Sequence, residues 1–176
     1  YDFKIWAEGV KAAKNPLWTD VGWRNAHGDI LTVSVPGLSK EYIYHPGKFL
    51  APIGNKLFRC GATYTWDLDS HAPRPQGRKD LEEELARVLK LPFEVIDHQS
   101  GIRPVAVARV PVAGPHPEKG NQLIFNGFGS KGVLMAPWMA ERMLEWMQSG
   151  KELPKETRAA RRMTRQRDRM KTAMRK

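Results

Sequence analysis

Two stretches decide how this 176-residue chain is read: Gly101-Ile102-Arg103-Pro104-Val105, and Leu123-Ile124-Phe125 running into Asn126-Gly127-Phe128-Gly129-Ser130-Lys131-Gly132. Pro104 pushes Arg103 towards extended geometry. A guanidinium fork held this way suits a carboxylate, which it pairs bidentately. The second stretch reads as a buried strand, a glycine-rich turn and the start of a helix. Small residues let backbone N–H groups approach a ligand, and a helix start offers partial positive charge. The turn satisfies G-x-G-x-x-G. A dinucleotide fingerprint, however, belongs to a βαβ unit with an acid about 20 residues on, at the end of a second strand. Lys151 and Glu152 stand there instead, in a polar linker. The turn is therefore read as a strand-to-helix turn of another kind, either facing a ligand or simply a tight connection with none.

Working outward, Phe3 to Gly9 reads as a short strand ending in glycine. Gly28-Asp29 opens a β-branched run, Ile30 to Val35, stopped by Pro36-Gly37. Tyr42–Tyr44, Phe49–Ile53 and Lys56–Cys60 follow at hairpin spacing, and 62–66 extends the run. This predicts an antiparallel sheet of four or five strands. Leu81, Leu85, Val88 and Leu89 make one apolar face of a helix over about 78–90, ended by Pro92. Phe93–His98 and Gly101–Val105 are extended, Val110–Ala113 is a short strand, and 132–147 is a helix containing Pro137. That helix offers Val133, Leu134, Met143, Leu144 and Met147 for packing. The fold class is α+β.

Net charge is +10. It is concentrated in residues 151–176, where eleven Lys or Arg face three acids. Residues 155–176 admit a helix with a thin apolar stripe of Ala159, Met163, Met170 and Met174, and the segment is read as a solvated, partly disordered extension whose removal changes little. Its few aromatics provide no platform for stacked bases, so nucleic acid is not expected as the partner. No run of apolar residues is long enough for a membrane span. No leader is expected, and the lone Cys60 cannot form an internal disulfide, which suits a cytoplasmic protein. His27, His45, His71 and His98 lack paired metal spacing and are read as surface or loop residues, with no metal site expected.

The arginine segment, the glycine turn and Lys4-Ile5-Trp6-Ala7-Glu8-Gly9 together resemble the C-terminal portion of FAD-dependent amine and amino-acid oxidoreductases, the D-amino-acid oxidase and glycine oxidase family. The resemblance covers about residues 3–148. It implies an antiparallel substrate-domain sheet plus the returning C-terminal segment of a Rossmann-like FAD domain. The division would be 1–26 and 101–150 in the FAD-binding domain, 27–100 in the substrate domain, and 151–176 as the tail. It implies that Arg103 holds a substrate carboxylate. Gly9, Gly101, Ile102, Arg103, Gly114, Gly129, Ser130, Lys131, Gly132 and Val133 would contact FAD. Tyr44, Phe49 and Tyr64 are candidates for the substrate pocket, the plainer reading of them being sheet core. His116 is read as a loop histidine, and no residue stands out as a catalytic base. Cys60 lies away from the glycine turn, so FAD is expected to be non-covalent. The N-terminal dinucleotide-binding unit of such enzymes has no counterpart in this sequence. The chain alone is expected to be inactive, and to need that half in cis or on another chain. The alternative is a non-catalytic module whose basic segment contacts nucleic acid or an acidic partner.

Overall fold

The computed structural model describes residues 2–45, 47–66 and 70–173. In chain order the elements are β1 Lys4–Trp6, β2 Ala26–Ser34, β3 Phe49–Gly54, β4 Leu57–Gly61, β5 Thr65–Trp66, α1 Pro75–Val88, β6 Glu94–Arg103, β7 Val112–Pro115, β8 Gln122–Asn126, α2 Gly132–Ser149 and α3 Ala159–Ala173. Two 3-10 turns, Gly9–Lys14 and Thr19–Val21, follow β1. The chain divides into two compact units. One comprises Tyr1–Asn25 and Arg103–Lys176, the other Ala26–Ile102.

The first unit is built on a three-stranded sheet in the order β1-β8-β7, with β1 parallel to β8 and β7 antiparallel to it. β8 is an unbroken apolar run, Leu123-Ile124-Phe125, as expected of a strand covered on both faces. Successive strand residues point to opposite faces. Leu123 accordingly joins Ala113, Met139, Met143 and Leu153, while Ile124 joins Trp18, Val21, Ala106, Val112, Ala159 and Met163. One cluster is roofed by α2 and the other by α3. Within α2 the burial differs from expectation. Met139 and Met143 are buried, but Val133, Leu134 and Leu144 are exposed.

The basic segment also differs from expectation. It is not a loose extension. Leu153, Thr157, Ala159 and Met163 are buried. Ala113 donates its backbone N–H to the Thr157 carbonyl at 2.9 Å. Arg167 pairs with Asp20 at 2.6 Å and with Glu118 at 2.7 Å. The arginines hide this in sequence, because only two residues of α3 carry the apolar contact.

The second unit is built on one sheet of five strands, in which the β3–β4, β4–β2 and β2–β5 pairs are antiparallel. β3, β4 and β2 are neighbours in that order, and β5 and β6 both pair with β2. Ile30 faces Gly61 whereas His27 faces Thr65, so three steps on β2 answer four on its partner. The 61–65 run therefore carries an extra residue, a bulge. α1 lays Leu81 and Leu85 on a core of Leu31, Val33, Val35, Leu50, Phe58 and Cys60. It begins three residues before the sequence suggested, because Pro75 is well placed in a first turn. Tyr42 and Ile43 lie outside any strand, and Tyr44 only bridges to Leu50.

Gly28 and Asp29, expected to open the strand, sit inside β2, which begins at Ala26, and Asp29 is fully buried. Its carboxylate accepts the Thr63 hydroxyl at 3.0 Å, the Arg74 backbone N–H at 2.9 Å, and Arg74 Nε and Nη2 at 3.1 and 2.9 Å. His98 Nε2 lies 3.2 Å from Oδ1. His27 is fully buried, with Nδ1 3.6 Å from Oδ2. Two histidines read as surface residues thus face a buried carboxylate. Arg74 is the N-cap residue of α1, and its own side chain does not cap the helix. Asp29 supplies the anion at that helix start from a distant strand.

Burial pushes the Asp29 pKa up. The Arg74 backbone and side-chain hydrogen bonds, with Thr63 and His27, more than offset this and leave it below the ordinary carboxylate range. A depressed carboxylate pKa contributes stability that is present above the unfolded value, about 4, and lost as pH falls through the folded one. Asp29→Asn is expected to cost about 2 kcal/mol near neutrality, since hydrogen bonds to charged groups are worth about 1.5–3 kcal/mol. The cost should shrink towards pH 3. Urea melts at both pH values check this, and an equal loss at each would contradict it.

Candidate functional site

β1 and β8 are parallel, so the chain leaves both at the same end of the sheet: through Glu8-Gly9 from one and Gly127 from the other. In α/β sheets ligands gather beyond the carboxyl ends of strands. Asn126, 3% exposed, joins the two exits. Its Nδ2 donates to the Gly9 carbonyl at 2.8 Å and its Oδ1 accepts the Gly127 N–H at 2.8 Å. Sequence reading quoted Asn126 only as the start of the turn. A polar residue at the end of an apolar strand, directly before glycine, was the available signal.

Gly9, Gly127 and Gly129 have φ values of +59°, +78° and +57°. In this left-handed region a side chain costs strain, and glycine is at ease. At Gly9 an added Cβ would meet nothing within 4 Å. Space is therefore open beside this turn, and conformation alone demands glycine there.

The arginine segment meets the glycine turn. Gly129 donates its N–H to the Pro104 carbonyl at 3.0 Å, and Val105 bridges Phe128 in antiparallel fashion. Val105 is held in turn by the Arg24 N–H at 2.8 Å. Arg103, half-buried at the end of β6, immediately precedes this junction. Two motifs separated by more than twenty residues are thus tied together backbone to backbone.

After Gly129–Lys131 forms a single 3-10 turn, α2 begins at Gly132. No side chain of its N-cap residue caps it, and its first turn holds no acid. Val133 is 98% exposed and Leu134 80%. The first turn therefore presents uncapped N–H groups together with bare apolar side chains. Ser130 and Lys131 are exposed beside them. No second parallel strand follows α2 among the described residues. The turn is not a dinucleotide βαβ unit.

The remaining predicted residues lie elsewhere. Gly114 sits in β7, where an added Cβ would press to 2.7 Å of Leu153 Cδ1. That glycine lets the 153 segment approach, and the structure does not bring it to the glycine turn. His116 is 6% exposed and packs edge-on to Trp18 at 5.4 Å. Burial lowers its pKa. Tyr44 packs against the core beneath α1 and donates its hydroxyl to the Ser39 carbonyl at 3.0 Å. Tyr64 stands edge-on to Trp66 at 4.9 Å, and Phe49 faces Gly61 across the sheet. Gly101 and Ile102 lie in β6 just before Arg103. Cys60 is buried, and that burial pushes its thiol pKa up to about 11. Among the described residues there is no cluster suited to a metal, and no helix is long and apolar enough to cross a membrane.

The structure is similar to glycine oxidase from Bacillus cereus ATCC 14579, with a TM-score of 0.71 at 18% identity over 84% of this chain. It is similar also to iminodiacetate oxidase from Chelativorans sp. BNC1, with a TM-score of 0.72 at 19% identity over 90%. L-proline dehydrogenase from P. horikoshii gives 0.73 at 15% identity, also over 90%. The chain spans 42% of the length of the first of these and 46% of the other two. At such identities the likeness concerns the fold. The sequence itself matches the family described as FAD dependent oxidoreductase over residues 6–146, most of its length. By that match the chain belongs to the FAD dependent oxidoreductase family.

Proposed function

We propose that this chain supplies the substrate-binding arginine and the flavin-facing turn of an enzyme that oxidises an amine or amino acid. The observation that carries the reading is the Pro104–Gly129 hydrogen bond. It seats a strand-end arginine beside a glycine turn that opens at the carboxyl ends of two parallel strands.

The residues present fit non-covalent FAD. Gly9 leaves open space, and the uncapped first turn of α2 suits the edge of a ring system that gains negative charge on reduction. Gly9, Arg103 and Gly129–Val133, all in the Tyr1–Asn25 and Arg103–Lys176 unit, are the residues assigned to it. A bound FAD would supply a hydride acceptor for the substrate carbon that bears nitrogen, the nitrogen giving up a proton so that the product is an imine. Arg103 holds the substrate carboxylate by a bidentate pair and so fixes which hydrogen is presented. Cys60, with its pKa raised to about 11, stays a neutral thiol and is a poor candidate for a covalent link. The dinucleotide-binding half acts in cis or from another chain.

Arg103→Ala in the complete flavoenzyme is expected to raise KM for a carboxylate-bearing substrate about 100-fold. That corresponds to about 2.7 kcal/mol, within the range for hydrogen bonds between charged groups. An amine lacking the carboxylate should be affected much less. Steady-state kinetics with both substrates decide this. A KM unchanged within twofold for the amino acid would overturn the assignment.

A further inference from the structure

We infer that the cleft framed by Arg161, Arg162 and Arg165 binds a phosphoryl group, either as inorganic phosphate or as a small phosphate monoester. The cleft has a volume of about 150 Å³ and is lined by these three arginines with Ala108, Val110 and Glu156. It lies wholly within the Tyr1–Asn25 and Arg103–Lys176 unit.

Arg161 and Arg165 are four apart on α3, and so stack on one side of the helix. Two of the guanidinium groups are moored. Arg162 Nη2 donates to the Glu156 carbonyl at 2.7 Å, and Arg161 Nη1 to the Lys155 carbonyl at 3.3 Å. Each guanidinium has five N–H donors, so these moorings leave most of them for a ligand. Charge compensation is thin. Glu156 reaches Arg161 at 3.8 Å, while Arg165 has no carboxylate partner among the described residues. Neighbouring arginines of the same segment differ: Arg158 pairs with Glu152 at 2.6 Å, and Arg167 with Asp20 and Glu118. Burial, with the charges of Arg165, Arg161 and Arg169 around it, lowers the pKa of Arg162. The helix is anchored by Ala159 and Met163, so its packing does not require this crowding of like charge.

Planar guanidinium forks match the oxygen geometry of a phosphoryl group. A water molecule takes about 30 Å³, so the cleft has room for roughly five, comparable to one phosphoryl group. Sites for whole drug-sized ligands run to about 300–1,000 Å³, too large for this cleft. A single phosphoryl group is the anion that fits.

Isothermal titration calorimetry tests this on the full 176-residue chain at fixed ionic strength, with inorganic phosphate and with glycerol 3-phosphate as probes. One saturable site is expected. A tighter fit for the first probe identifies the free ion, and a tighter fit for the second identifies the ester; either supports the site. Arg165→Gln, an exposed position whose change leaves the core intact, should weaken binding at least tenfold. Arg169→Gln removes the same charge outside the cleft and should change binding less than twofold. Binding should persist with saturating FAD. Three results would overturn the proposal: no saturable heat with either probe, equal weakening by the two substitutions, or abolition by FAD. The last would assign the cleft to the cofactor. Because the readout is heat and not turnover, it is independent of whether Arg103 holds substrate.

Discussion

Gly77→Ala is expected to destabilise the Ala26–Ile102 unit by about 2–3 kcal/mol, against the usual direction of this substitution. In a helix interior alanine is favoured over glycine by about 1 kcal/mol. Gly77 stands in the first turn of α1, and a Cβ built there would overlap the Asp29 carboxylate. That carboxylate cannot step aside cheaply. Thr63, the Arg74 backbone and the Arg74 guanidinium all hold it, and it is fully buried. Overpacking of this kind costs about 1–3 kcal/mol, sometimes more. Backbone and carboxylate interlock here: the glycine admits the anion, and the anion serves the helix start. A double-mutant cycle with Asp29→Ala separates this from simple propensity. In the Asp29→Ala background the carboxylate is gone and only the Cβ of residue 29, 2.9 Å from the added methyl, remains, so Gly77→Ala should cost clearly less than in the parent. If urea melts give additive effects, the interlock is not the cause.

Removing residues 151–176 is expected to unfold the unit that carries the glycine turn. The deletion strips Leu153, Ala159 and Met163 from the two clusters that flank β8. Burying a Met or Leu is typically worth about 2–5 kcal/mol against alanine. Losing both costs about 4–10 kcal/mol, comparable with the total stability of a domain, about 5–15 kcal/mol. The Ala113–Thr157 hydrogen bond and the Arg167 pairs with Asp20 and Glu118 go with them. Met163→Ala alone should cost about 2–4 kcal/mol. Thermal melts followed by circular dichroism check both. A truncated chain that melts cooperatively near the parent temperature would show that α3 is dispensable. The structure also makes this deletion unsuitable for telling an enzyme from a binding module, because either would be lost with the fold.

The features that the sequence determined by itself are local or periodic. Pro104 restricts Arg103, Pro92 stops a helix, and glycines punctuate a turn that follows an apolar strand. Each acts through residues a few positions away, so a linear reading sees cause and consequence together. That sufficed for the α+β class, for most strands and helices, and for the family. The tertiary structure decided what depends on distant partners. Asp29 meets Thr63, Arg74 and His98 across 34, 45 and 69 positions. Nothing local marks it, and beside Gly28 it read only as the opening of a β-branched run. Asn126 reaches Gly9 across 117 positions. α3 reads as a charged helix with only a thin apolar stripe, and that its Ala159 and Met163 join Ile124 and Trp18 in one buried cluster is something the sequence does not display. Burial and pairing are properties of where segments meet, and for these residues the meeting is set, within each unit, by the register of its sheet and the helices packed on it.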